Sequence, residues 1–145
     1  MKVVELLPHE GAAVLLDEVV AHGDDSLSAR VSIGQDTRFR EANGVPAHVG
    51  IEYMAQTCGA FSGAEALRAG REPRVGFILG TRRYLATRGW FAEGTSLVVT
   101  CDLVYRDREI GVFDCVIRDG DEVVATARLT LAEPDVATVT PPKQE

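Results

Sequence analysis

Three side chains recur at helical spacing near the middle of the chain: His48, Glu52 and Gln56, in the run Gly44-Val-Pro-Ala-His-Val-Gly-Ile-Glu-Tyr-Met-Ala-Gln56. Residues four apart share a helix face, about one turn from each other. Pro46 suits a first helical position, so an imidazole, a carboxylate and a carboxamide would project in a line from the start of one helix. An imidazole with an ordinary pKa of about 6.5 exists in either form at neutral pH and passes a proton in either direction. A carboxylate in apolar surroundings rises in pKa and can donate a proton. The line therefore reads as a candidate acid–base site, with Gln56 either orienting Glu52 or holding a neighbouring segment. The bland alternatives are an interface packing role for His48 and a solvated surface position for Glu52.

The elements that must position this line follow from hydrophobic period and turn chemistry. A helix is predicted over 46–69, with Gly70 as its stop. It is unusually rich in small residues, and Gly50, Gly59 and Gly63 lie inside it. Interior glycine costs a helix up to about 1 kcal/mol relative to alanine, so something must approach this helix closely. Strands are expected at 12–21 and 26–33, the second with Leu27, Ala29, Val31 and Ile33 on one face. After the helix come strands at 75–79 running on toward 81–85, then 95–105, 110–117 and 122–131. Asp119-Gly120 marks a hairpin turn. Two strands, one long helix and four further strands in hairpin succession make an antiparallel sheet with helix on one face, an α+β arrangement.

The chain has 145 residues, 46% of them hydrophobic, which suits one domain over 1–132 with a fraying tail at 133–145. A net charge of −7 argues against nucleic-acid binding. No apolar run is long enough to span a bilayer, and the opening Met1-Lys-Val-Val-Glu-Leu-Leu-Pro lacks the unbroken apolar core of a signal peptide; a cytoplasmic location is expected. Cys58, Cys101 and Cys115 have no metal-ligand spacing and read as buried free thiols. No metal is expected.

Several blocks carry a family resemblance. Leu7-Pro-His-Glu-Gly-Ala-Ala-Val-Leu-Leu-Asp17 resembles the LPHRxPFLLVDRV opening of FabZ-type 3-hydroxyacyl-(acyl carrier protein) dehydratases, and Glu52-Tyr-Met-Ala-Gln56 resembles their E-A-x-A-Q helix motif. The wording V-P-A-x-V-G-I-E-x-M-A-Q and F-x-L-G-T-R-R-Y is shared with the ApeP-like dehydratase homologues of aryl polyene pathways. The resemblance implies a hot-dog fold, a long helix wrapped by a curved antiparallel sheet. It implies a homodimer or a heterodimer with another hot-dog protein, acyl thioesters carried on the phosphopantetheine of acyl carrier protein, and no cofactor beyond that arm. It makes Glu52 the catalytic carboxylate. It makes Ala47 the residue whose backbone N–H receives charge on the thioester oxygen. The family's histidine, in H-F-P-G-x-P, falls on Arg38, where this chain has no histidine, so His48 becomes the candidate replacement.

The remaining signals are weaker. Arg82 and Arg83 lead a set of arginines, with Arg68, Arg71, Arg74 and Arg88, that could steer an acidic carrier protein. His9 reads as structural, His22 as solvated, and Trp90 and Phe91 as core or interface. Three functions follow in order: a dehydratase of 3-hydroxyacyl thioesters, a non-catalytic subunit paired with an active hot-dog chain, and a hot-dog thioesterase with Glu52 activating water.

Overall fold

The computed structural model describes residues 3–6, 14–73 and 76–132. A short helix α1 (Val3–Leu6) precedes β1 (Glu18–His22) and β2 (Ser26–Ser32). A two-residue strand β3 (Val45–Pro46) and a tight 3-10 turn (Ala47–Val49) lead into α2 (Gly50–Arg68). Then follow β4 (Phe77–Ala86), a two-residue β5 (Trp90–Phe91), β6 (Ser96–Asp107), β7 (Ile110–Asp119) and β8 (Glu122–Ala132). Six strands form one antiparallel sheet in the order β1-β2-β6-β7-β8-β4, and β3 pairs with β5 in a separate ribbon.

Alternation sets which face of each strand meets the helix. Leu27, Ala29 and Val31 on β2, Leu97, Val99 and Cys101 on β6, and Phe113, Cys115 and Ile117 on β7 are buried. They close over Tyr53, Met54, Cys58, Phe61 and Ala64 of α2. Phe61 meets Phe113 edge-on, with ring centroids 5.9 Å apart, the geometry that aromatic quadrupoles favour. The opposite face mixes valines with polar pairs: Ser28 Oγ and Thr100 Oγ1 meet at 2.7 Å across β2 and β6. The hairpins expected at both ends of β7 are present, with Arg108 and Gly120 at positive φ.

Two expectations are corrected. The four strands after the helix are not in simple hairpin succession, because β4 lies at the far edge beside β8. The connection from β4 to β6 is not a tight turn. It is drawn across the helix start, where Trp90 and Phe91 pair with Pro46 and Val45 and the Gly89 carbonyl accepts the Ala47 N–H at 2.9 Å. The first strand also begins later than expected, at Glu18. Before it, the Leu15 N–H donates to Gln56 Oε1 at 2.8 Å and Asp17 Oδ2 accepts the Ser32 N–H at 2.6 Å. That stretch is held by side chains. Residues 12–13, His9, Arg74 and the tail at 133–145 lie outside the described residues.

The close approach that the helix glycines call for is visible at Gly50. A Cβ there would sit 2.2 Å from the Tyr84 hydroxyl and 3.0 Å from Ile117 Cδ1. Tyr84 belongs to β4, so the edge strand is keyed into the helix start through one glycine.

Candidate functional site

The helix start is gripped from both sides. The Tyr84 hydroxyl donates a short hydrogen bond to the Ala47 carbonyl, and the Ala47 N–H donates to Gly89. Burial pushes the Tyr84 phenol up to about 12, so it stays a donor at every physiological pH. Its side chain reaches the helix because β4 carries a bulge: Arg83 adopts φ 53°, and pairing with β8 shifts between Arg82 and Leu85. Bulges re-aim side chains in this way. The Ala47 N–H, expected to face a thioester oxygen, is thus already engaged within the protomer. The first N–H groups of a helix have no intrahelical acceptor, and the next in line after Ala47 belongs to His48.

His48 lies in the 3-10 turn and Glu52 in the first turn of α2, and both are exposed in the single chain. Glu52 is followed along α2 by the half-buried Ala55, Gly59, Ser62 and Glu65, while the residues between them are buried down to Ala66. The carboxylate therefore sits at one end of the narrow open stripe of an otherwise enclosed helix. Gln56, one turn on, is buried and spends its carbonyl oxygen on the Leu15 N–H. The position Arg38, where the family resemblance puts a histidine, lies on the loop at 34–38. Thr37 Oγ1 accepts the Gly34 N–H at 2.6 Å and braces this loop, and the Arg38 guanidinium lies 5.2 Å from the Phe39 ring centre.

A cleft of about 640 Å³ opens between this loop, the end of β2 and the segment at 14–17. Its lining includes Asp17, Val31, Gly34, Thr37, Arg38 and Tyr53. Tyr53 was not among the residues expected to act. Its ring stacks on Phe91 at 6.4 Å, and its hydroxyl is buried with no hydrogen-bond partner. Burial, helped by the Asp17 carboxylate, raises the phenol to about 12. The available signal was its place immediately after Glu52, which an apolar helix pattern disguises as core.

Arg82 and Arg83 are exposed on β4 and line a second, open cavity of about 670 Å³ with Leu85, Asp114, Thr126 and Arg128. Arg128 is spoken for: it makes two hydrogen bonds to the Asp114 carboxylate, at 2.7 and 3.0 Å. Arg88 is likewise paired, with Asp119 and Glu122 at 2.8 and 3.1 Å. The arginines are thus several local arrangements and not one patch. The three cysteines are buried free thiols. Cys58 and Cys115 lie 3.6 Å apart between helix and sheet, and burial pushes the Cys58 thiol well above its usual range. Among the described residues no group of three or more His, Cys, Asp or Glu is poised for a metal, and no helix is long and apolar enough to cross a membrane.

A long helix wrapped by a six-stranded antiparallel sheet is the hot-dog architecture. Within that class, the chain belongs to the ApeP-like dehydratase family, whose model, described as ApeP dehydratase, matches residues 1–141. Among solved structures it is similar to a chain of the dehydratase heterocomplex ApeI:P from Xenorhabdus doucetiae. That match has 27% identity and a TM-score of 0.90, over 95% of this chain and 94% of that one. A hypothetical thioesterase with coenzyme A from Streptococcus pneumoniae shares the fold at 13% identity and TM-score 0.64, over 81% and 84% of the two chains. A protein bound to acetyl CoA from Streptococcus mutans does so at 14% and 0.63, over 80% and 86%. The sequence matches no curated protein.

Proposed function

We propose that the chain is a dehydratase-type hot-dog subunit that acts on 3-hydroxyacyl thioesters presented by an acyl carrier protein, in fatty acid or polyene synthesis, in the cytoplasm. The observation that carries this is Glu52: an exposed carboxylate on the first turn of a largely enclosed helix, beside His48, in a chain of a dehydratase family.

Dehydration breaks a Cα–H bond and a Cβ–O bond, forms the Cα=Cβ double bond and releases water. In this reading the His48 imidazole takes the Cα proton and Glu52 donates a proton to the departing hydroxyl. The Cα proton is made acidic by charge moving onto the thioester oxygen, and a helix N-terminus favours that charge. The Ala47 N–H bonds to Gly89 within the protomer, so serving the thioester oxygen would require it to exchange that partner. The chemistry is acid–base and asks for no cofactor beyond the carrier's phosphopantetheine.

The site is open in a single chain, and a carboxylate gains proton-donor power only when water is excluded. A second hot-dog chain would close it. The edge strand β4 suits that contact, since it leaves Ile78, Leu79 and Leu85 exposed alongside an unpaired edge. Arg82 and Arg83, on the same strand, would receive the acidic carrier.

A second reading keeps the assembly and drops the chemistry. Arg38 at the histidine position, and the similarity to a chain of a dehydratase heterocomplex, favour a subunit that shapes the site of an active partner. The deciding test is enoyl absorbance from a carrier-bound 3-hydroxyacyl substrate, with the chain alone and mixed with a second hot-dog dehydratase. Loss of signal in Glu52→Gln supports the catalytic reading. Full activity in Glu52→Gln, with loss on mutating the partner, supports the other.

A further inference from the structure

The face of the sheet turned away from α2 has its charges sorted by sign. Strand register puts Asp102 of β6, Asp114 of β7, Arg128 of β8 and Arg82 of β4 side by side, in one row across four adjacent strands. The row lies on the outward face, because Cys101, Cys115 and Leu129, next along their strands, are buried under the helix. Two acids are followed by two bases. Like charges directly opposite each other on neighbouring strands are destabilising. Asp102 beside Asp114, and Arg82 beside Arg128, therefore cost the single chain stability. The middle pair is joined by the two hydrogen bonds from Arg128 to Asp114. The ends are not joined to anything: among the described residues, Asp102 and Arg82 have no ion-pair partner.

Such a row is its own complement. A two-fold axis running along the strands, between β7 and β8, brings a second copy down with its β4 over β6 and its β8 over β7. Asp102 then meets Arg82 of the second copy, and Asp114 meets Arg128. Both ends of the row are served alike, as a contact between identical surfaces requires. A two-fold axis across the strands would set each charge against its own kind. An arginine and a carboxylate together span the roughly 10 Å between stacked sheets.

The next row fits the same operation in shape. It reads Tyr105, Val112, Thr130 and Gly80. Tyr105 is 58% exposed, and a Cβ at Gly80 would meet nothing within 4 Å. The axis lays the largest side chain of this row over the smallest. On the other side of the charged row lie Thr100, Val116, Thr126 and the exposed Leu85, whose methyl groups gain from being covered.

We infer that the outer face of the sheet, centred on β7 and β8, is a docking surface for a second copy of this chain, held in register by Asp102–Arg82 pairs about a two-fold axis. The contact is separate from the β4 edge and does not depend on the dehydratase reading. Arg83 is outside the row and is left to the carrier.

Sedimentation equilibrium of the full-length chain tests this. Asp102→Arg and Arg82→Asp each set like charges at both ends of the contact. Each should raise the dissociation constant of the mass-doubling step at least about tenfold. Neither should lower Tm by more than about 2 °C, because each places unlike charges side by side within its own chain. An equimolar mixture of the two variants is the decisive arm. In the mixed pair every acid again faces an arginine, so the doubling should return to within about threefold of wild type. A folding defect would not be repaired by mixing. Wild type that does not double, variants that double as wild type does, or variants that dissociate and do not recover on mixing would each overturn the inference.

Discussion

Gly50→Ala tests the coupling between the edge strand and the helix start. Gly50 has ordinary helical dihedrals, φ −55° and ψ −28°, so alanine meets no backbone strain, and helix propensity alone predicts a gain of up to about 1 kcal/mol. The structure predicts a loss. The new Cβ would lie 2.2 Å from the Tyr84 hydroxyl and 3.0 Å from Ile117 Cδ1. Overpacking of this kind costs about 1–3 kcal/mol. Pushing Tyr84 aside also breaks its bond to the Ala47 carbonyl, worth about 1 kcal/mol. The net expectation is destabilisation by about 1–3 kcal/mol. Tyr84→Phe removes the clashing oxygen and the bond together, so Gly50→Ala should cost about 1–2 kcal/mol less in that background. Urea denaturation of the four members of the double-mutant cycle measures this directly. Additivity within about 0.5 kcal/mol, or a stabilising Gly50→Ala, would refute the packing account of that glycine.

Other outcomes follow from single contacts. Gln56→Ala should leave the Leu15 N–H without its acceptor, lowering stability by about 1–2 kcal/mol and speeding hydrogen exchange at Leu15; unchanged exchange there would show that Gln56 does not hold this segment. Arg128 holds the Asp114 carboxyl below its ordinary value. A depressed acid contributes stability above its unfolded pKa of about 3.9, and that contribution is lost as pH falls through the lower folded value. Both side chains are about half exposed, so Asp114→Asn should cost under about 1 kcal/mol at pH 7 and approach zero in acid; a cost that persists at low pH argues against the ion pair as its source. Leu79→Lys, on the exposed face of β4, should weaken assembly in light scattering while leaving the protomer's Tm within about 2 °C, because a surface substitution is usually worth under about 0.5 kcal/mol.

Much of this architecture was legible in the chain. The alternation of Leu97, Val99 and Cys101 against polar neighbours is a two-residue period, and β6 follows it. The small residues of α2 signalled close packing, and Gly50 against Tyr84 is one such approach. What escaped the sequence was carried by short or long-range pairings. The ribbon of Val45–Pro46 with Trp90–Phe91 is two residues long, too short for any period to show. The placement of β4 beside β8 depends on how the connection at 87–95 crosses the helix start, which no local pattern encodes. Spacing alone singles out His48, Glu52 and Gln56 as candidates, but spacing says nothing of what each atom already touches. The Ala47 N–H is spent on Gly89, and Gln56 is spent on Leu15. Tyr53 was hidden because an aromatic residue inside an apolar helix looks like core, and only its unpartnered hydroxyl distinguishes it.

The central claim is that Glu52 performs proton chemistry on a hydroxyacyl thioester. The most direct measurement compares wild type, Glu52→Gln and His48→Ala side by side on a 3-hydroxyacyl carrier protein, following enoyl absorbance, with and without a second hot-dog chain. The account predicts that Glu52→Gln loses at least about a hundredfold, the low end of what a positioned general acid contributes, and that His48→Ala falls in the same direction. Enoyl formation at the wild-type rate by Glu52→Gln would contradict it.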